Sequence, residues 1–189
     1  MSTDTTRPPD RGPIEPETRI GHVHLKVADL DRAIDFYHGV LGLDVVTRIG
    51  DQAAFLSAGG YHHHIGLNTW ESQGGSRPAR GTTGLYHTAI LYPTRPALGR
   101  ALRRLVEHGW PLGGAADHGV SEALYLDDAD GNGVELYRDR PRDEWPRSAA
   151  GQIEMYSRQL DLEALLRAAD DEAGLLSNES AASVPDAGR

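Results

Sequence analysis

The sequence predicts an α+β fold built from two β-α-β-β-β modules in one chain of 189 residues. Three observations carry this. The stretch GHVHLKV followed by DLDRAIDFYHGVLGL is echoed, in pattern more than identity, by YHTAILY followed by PTRPALGRALRRLVEHGW. Each opening alternates apolar and polar residues as a strand does, and each follow-on spaces its apolar residues as a helix does. Three further strand-like segments follow each helix.

In the first strand, expected over 20–27, Val23, Leu25 and Val27 take one face and His22, His24 and Lys26 the other, because side chains alternate along a strand. In the helix after it, Ile34, Tyr37 and Leu41 share a face and Gly42 closes the end. Strands are expected next at 44–49, 53–58 and 62–68. In the last of these Ile65 and Leu67 face the helix, and His62, His64 and Asn68 face away. A one-residue slip in register would present His63 instead. Residues 69–83 read as a loop suited to the mouth of a site.

The second module repeats the scheme. His87 lies opposite Thr88 and Ile90, and Pro96 suits the first turn of a helix whose stripe is Leu98, Leu102 and Leu105, ending at Gly109. Strands are expected around 111–116, 122–127 and 133–138, with Tyr125 opposite Leu124 and Leu126, and Glu135 opposite Val134 and Leu136. Between the last two, Asp130 to Gly133 read as a hairpin turn. The strands thus place His22, His64, Tyr125 and Glu135 on the face away from the helices. Polar groups on a concave face need partners or a ligand, and a metal would meet that need.

The expected organisation is a disordered tail at 1–17, a domain at 18–145 (module one 18–70, linker 71–83, module two 84–145) and an extension at 146–189. The first tail is polar and rich in Pro, Thr and Asp. Within the extension a helix is expected over 153–168 and a mobile tail from 174. The net charge of -9 and scattered basic residues argue against nucleic acid or an anionic membrane surface as a partner. No apolar run has membrane-span length and the N-terminus lacks an apolar signal core, so a cytoplasmic location is expected. Cysteine is absent, so any metal must be held by nitrogen and oxygen donors.

Residues 19–139, and above all the opening GHVHLKVADLDRAIDFYHGVLGL, resemble the paired modules of the vicinal oxygen chelate superfamily, which includes glyoxalase I, bleomycin-binding proteins and extradiol dioxygenases. The resemblance implies a half-closed mixed-sheet barrel around a metal site. Its ligands would come from the first strand of each module and the last strand of the second, which here means His22, His87 and Glu135. Two histidines and a carboxylate form the facial set that leaves Fe(II) with open positions, and Mn(II) suits the same donors.

The segment 117–137, DHGVSEALYLDDADGNGVELY, resembles the signature of type I extradiol (catechol 2,3-) dioxygenases in His118, Tyr125, Asp128, Gly131 and Glu135. It departs at Ala129, where that family usually has Pro, and at Ala116. The implied activity is Fe(II)-dependent ring cleavage of a catechol-type substrate, a small aromatic diol, by dioxygen. In that reading His64 assists proton transfer, Tyr125 and His118 orient the substrate oxygens, and His24, His62 and Trp70 contact the substrate. Two modules can close a cavity within one chain or by exchange between two, which leaves a homodimer open. A glyoxalase-type isomerase or lyase would need a further carboxylate late in module one, where no acid occurs before Glu71. A non-enzymatic small-molecule binder, like the bleomycin-binding proteins, would not need the histidine–carboxylate set.

Overall fold

The alternating segments pair into two mixed sheets in a computed structural model that describes residues 12–79 and 81–182. Module one contributes β1 (Val23–Lys26), α1 (Leu30–Ile34), β2 (Asp44–Ile49), β3 (Ala53–Ser57) and β4 (Ile65–Asn68), with sheet order β1-β4-β3-β2. Module two contributes β5 (Thr88–Leu91), α2 (Arg95–Glu107), β6 (Gly114–Asp117), β7 (Ser121–Asp127) and β8 (Gly133–Asp139). Its sheet runs β5-β8-β7-β6-β9, the last strand being Arg158–Gln159 from the C-terminal extension. In each sheet the module's first and last strands pair in parallel, β1 with β4 and β5 with β8, and the other pairs are antiparallel. The repeat read from the sequence is therefore a repeat of topology. The two sheets do not close into a continuous barrel.

The helix-facing residues form one core. Leu25, Val27, Tyr37, Leu56 and Leu67 of module one join Leu98, Leu102, Leu105, Leu124 and Leu136 of module two. Fully burying each such side chain is worth roughly 1.5–3 kcal/mol, so the apolar faces hold the register of every strand. Thr94 caps α2 by accepting from the Ala97 amide, and Pro96 sits in its first turn.

The first helix departs from expectation. After α1 the chain widens into a π-helical stretch, Asp35–Val40, in which the Leu41 amide reaches back five residues to the Phe36 carbonyl at 2.9 Å. The wider turn lets Phe36, Tyr37 and Val40 all be buried. The freed carbonyls of Gly39 and Val40 accept from Arg104 of α2, both at 2.8 Å.

The extension also differs. Instead of a helix over 153–168, residues 158–159 pair with β6, and α3 runs Leu162–Ala182. The helix starts late because Asp161 is its cap, its carboxylate accepting from the Ala164 amide at 2.9 Å. The expected mobile tail thus begins as helix, and its residues 183–189 lie outside the described residues. So does most of the expected N-terminal tail, 1–11. No helix among the described residues is long and apolar enough to cross a membrane.

The turn between β7 and β8 fastens the modules together. Buried Asp128 accepts from the amides of Asp130 and Asn132 at 2.9 and 2.8 Å, and from the Tyr37 hydroxyl of module one at 3.0 Å. Burial, then the Asp128 charge, pushes the Tyr37 phenol far above its ordinary range. Asp130 accepts from the Ala28 amide at 3.2 Å and pairs with Arg32.

Candidate active site

On the open face of the second sheet, β7 and β8 bring Tyr125 directly opposite Glu135, and β5 sets Ala89 beside Glu135. His87 precedes Ala89 by two residues and so shares its face. The side chains form a chain of contacts. His87 Nε2 lies 2.9 Å from Glu135 Oε2. Glu135 Oε1 lies 3.1 Å from the Tyr125 hydroxyl, which is 2.7 Å from His118 Nε2. His118 Nδ1 ends the chain 2.8 Å from the Tyr156 carbonyl. Burial first, then the charge of Glu135 and the hydrogen bond to it, push the Tyr125 phenol up to about 12. It therefore stays protonated through the neutral range.

Two cavities meet here. The larger, about 930 Å³, is lined by His87, Tyr125 and His118, by apolar groups including Leu85, Pro111 and Leu112, and by Arg77. The smaller, about 640 Å³, lies between the unpaired edges of β1 and β5, and His22, His64, Leu85 and His87 line it. His87 and Leu85 belong to both linings.

The expected metal ligands are brought together in part. Neighbouring donors on a divalent ion, each about 2.1 Å from it, stand about 3 Å apart, and the His87–Glu135 separation of 2.9 Å fits. His87 Nδ1 is buried without a hydrogen-bond partner. His22 faces the cavity that His87 also lines, but its ring rests on His63, with centroids 4.3 Å apart. Among the described residues no three such side chains converge as a ready metal set.

The histidine run behaves differently from simple alternation. β4 begins at Ile65, and the backbone bonds of His64 to Leu56 and Val23, at 2.8 and 3.0 Å, carry the ladder one residue further but not to 62 and 63. His64 Nδ1 accepts from the Ala58 amide at 3.3 Å and lies 3.0 Å from the Ser57 hydroxyl. His63 instead packs between His22 and Phe55. Partial desolvation, then repulsion from His22, His62, His24 and His64, lowers its pKa. His62 stacks on Tyr61 and touches His63.

His24 lies against Phe55 and Trp70, with ring centroids 5.7 and 5.6 Å away. Burial, then His22, lowers its pKa. Neither His24, His62 nor Trp70 lines either cavity. Their aromatic patch depends on Gly66, where a Cβ would stand 2.9 Å from His24 Cγ. Gly66→Ala is expected to push the His24 ring off the sheet while lowering the melting temperature by only a few degrees, about 1 kcal/mol. Histidine NMR signals and a thermal melt check both.

Two contributors carry no periodic signal in the sequence. Arg77 reaches from the linker to Asp127 at 2.6 Å and to the Asp130 carbonyl at 3.1 Å. A Cβ on Gly131, whose φ is +83°, would overlap its guanidinium. Tyr156 contributes through its backbone. A Gly-rich linker placed at a site mouth was the only available hint of the first.

Comparison with known proteins adds the following. The family model described as "Glyoxalase/Bleomycin resistance protein/Dioxygenase superfamily" matches residues 19–136. A catechol-2,3-dioxygenase of Bacillus subtilis is 45% identical over 159 residues, which are 84% of this chain and 55% of that protein. A biphenyl-2,3-diol 1,2-dioxygenase of Rhodococcus globerulus is 35% identical over 64% of this chain and 63% of its own length. The chain thus spans less than two thirds of the length of these relatives. Among solved structures, a lactoylglutathione lyase from Agrobacterium tumefaciens superposes with a TM-score of 0.51 at 25% identity, covering 66% of this chain and 96% of its own.

Proposed function

Because the chain belongs to the glyoxalase/bleomycin resistance protein/dioxygenase superfamily, we propose that it cleaves the ring of a small aromatic diol beside its two hydroxyls, using dioxygen and Fe(II). The observation that carries this reading is the contact chain His87–Glu135–Tyr125–His118, of which His87, Tyr125 and His118 line one cavity. The names of the catechol and biphenyl-diol dioxygenases it is similar to point to the same substrate class.

His87 and Glu135 would hold the cation, with His22 joining from across the smaller cavity; Mn(II) suits the same donors. When bound, Fe(II) supplies the charge that acidifies a diol hydroxyl and the redox partner for dioxygen. The rest is done by the chain's own groups. Tyr125, a phenol throughout the neutral range, has one proton to offer to His118 Nε2, to Glu135 or to a substrate oxygen. His118 exchanges a proton with it across 2.7 Å. His64, lining the smaller cavity, is the proposed proton carrier, and His63 is the neighbour placed against His22. Leu85, Pro111 and Leu112 offer an apolar wall to one side of the ring.

Purified protein is loaded with Fe(II) without oxygen, mixed with a panel of catechols, and then exposed to oxygen. Oxygen uptake with a yellow ring-opened product is expected, and no uptake across the panel would sink the reading. Tyr125→Phe removes the hydroxyl between His118 and Glu135 and leaves the ring. Activity is expected to fall roughly 10–100-fold, as for other groups supporting a ligand, with an unchanged melt. Unimpaired turnover would show the hydroxyl to be idle. An isomerase would need a carboxylate from module one, but Glu71 is exposed and faces Lys26 at 3.7 Å.

A further inference from the structure

The C-terminal extension returns to the site. After β8 the chain leaves the sheet and comes back as β9, pairing Arg158 with Asp117 and Gln159 with Ala116. Just before β9, the Tyr156 amide donates to the His118 carbonyl at 3.3 Å, and the Tyr156 carbonyl faces His118 Nδ1 at 2.8 Å. The Tyr156 ring is wedged. The Arg158 guanidinium lies 4.0 Å over one face. Against the ring stands Gly119, with φ +78°, where an added Cβ would stand 2.7 Å from Tyr156 Cε1 and 2.8 Å from Pro146 Cγ. Ser157 lines the larger cavity beside Tyr125 and His118.

We propose that the Tyr156 peptide carbonyl is a positioning group of the site, fixing the imidazole proton of His118 on Nδ1 and making Nε2 the acceptor of the Tyr125 hydroxyl. A carbonyl can only accept, so a neutral imidazole facing it must carry its hydrogen on Nδ1. Nε2 is then bare. The Tyr125 hydroxyl has one proton and two takers, His118 Nε2 at 2.7 Å and Glu135 Oε1 at 3.1 Å. With Nε2 bare and nearer, the proton goes to His118. Both oxygens of Glu135 are then left for a cation or for His87. The extension thereby frees the carboxylate that the site needs as a ligand. This role rests on the ring-cleavage reading, but the position of the proton does not.

The test is nitrogen NMR of His118 in full-length, metal-free protein without substrate, combined with turnover of the Fe(II)-loaded protein. Wild-type protein should show hydrogen on Nδ1 and a bare Nε2. Gly119→Ala, which drives the Tyr156 ring away, should lose that signature and let the two tautomers mix. Tyr156→Gly, which removes the wedge without straining residue 119, is the second variant in case the first does not fold. Each should lower kcat roughly 10–100-fold. A wild-type proton on Nε2, or folded variants that keep the Nδ1 signature and full turnover, would overturn the proposal. So would variants that lose the signature yet turn over normally. If wild-type protein cleaves no diol, the ring-cleavage reading fails, and the NMR arm still decides where the proton sits.

Discussion

Replacing Glu135 with glutamine is expected to abolish retention of Fe(II) and to lower ring cleavage by more than the roughly 10–100-fold cost of losing a supporting partner. The side chain is 13% exposed, between His87 Nε2 and the Tyr125 hydroxyl. Glutamine has the same shape and keeps an oxygen for Tyr125, so the sheet and the melt should be unchanged. What disappears is the only carboxylate charge of the contact chain. A divalent cation held by neutral imidazoles alone loses most of its electrostatic attraction to the site. Glu135→Asp keeps the charge but withdraws it by one methylene, and should retain metal weakly. Iron content after gel filtration, measured beside oxygen uptake, separates loss of metal from loss of chemistry. Full iron and full activity in Glu135→Gln would remove Glu135 from the ligand set.

That Glu135 and Tyr125 share a face was legible from alternation alone, because each lies in a ladder whose other face is buried; His87, which precedes β5, was singled out by the family resemblance instead. Burial of Val134 and Leu136 against the core leaves Glu135 one direction to point. The same logic stops where the ladder stops. His62 and His63 precede the last ladder bonds, which His64 makes to Leu56 and Val23, so local contacts set their directions, while Ser57 and Ala58 hold the His64 ring. His22 likewise precedes β1. Its distance from His87 depends on the gap between two unpaired sheet edges, and residue patterns carry no information on that gap.

The fold divides along the same line. The two modules were readable because each strand and helix buries a periodic face. The π-helical stretch at 35–40 was hidden because it buries Phe36, Tyr37 and Val40 in an order that ordinary helical spacing also allows. β9 was missed because two residues make too short a pattern, and what anchors it are backbone bonds to β6. The Tyr156 carbonyl is invisible for a simpler reason: every residue has one.

Glu122→Ala is expected to destabilise the protein by about 3–5 kcal/mol, lowering the melting temperature by roughly 6–20 °C for a chain of this length. Glu122 is 3% exposed, and its place in β7 puts it on the helix side with Leu124 and Leu126. Three guanidinium groups converge on it. Arg95 at the start of α2 donates at 3.0 and 3.2 Å, its cross-strand neighbour Arg138 at 2.8 Å, and Arg140 at 3.3 Å. Arg140 also holds Asp117, and Arg95 also donates to the Ala164 carbonyl of α3. One carboxylate therefore ties α2, the sheet and α3 together. Removing it leaves Arg138, 11% exposed, as a buried cation without its partner; the cost comes from that stranded charge more than from the lost bonds. Two comparisons test this cause. Breaking the exposed Arg48–Asp31 pair with Asp31→Ala should cost no more than about 1 kcal/mol. Glu122→Leu combined with Arg138→Met, which removes the stranded charge with its partner, should recover part of the loss. If Glu122→Ala melts within about 2 °C of the parent, or if the double replacement is no better than the single, then water reaches the arginines and the cluster does not hold the extension to the sheet.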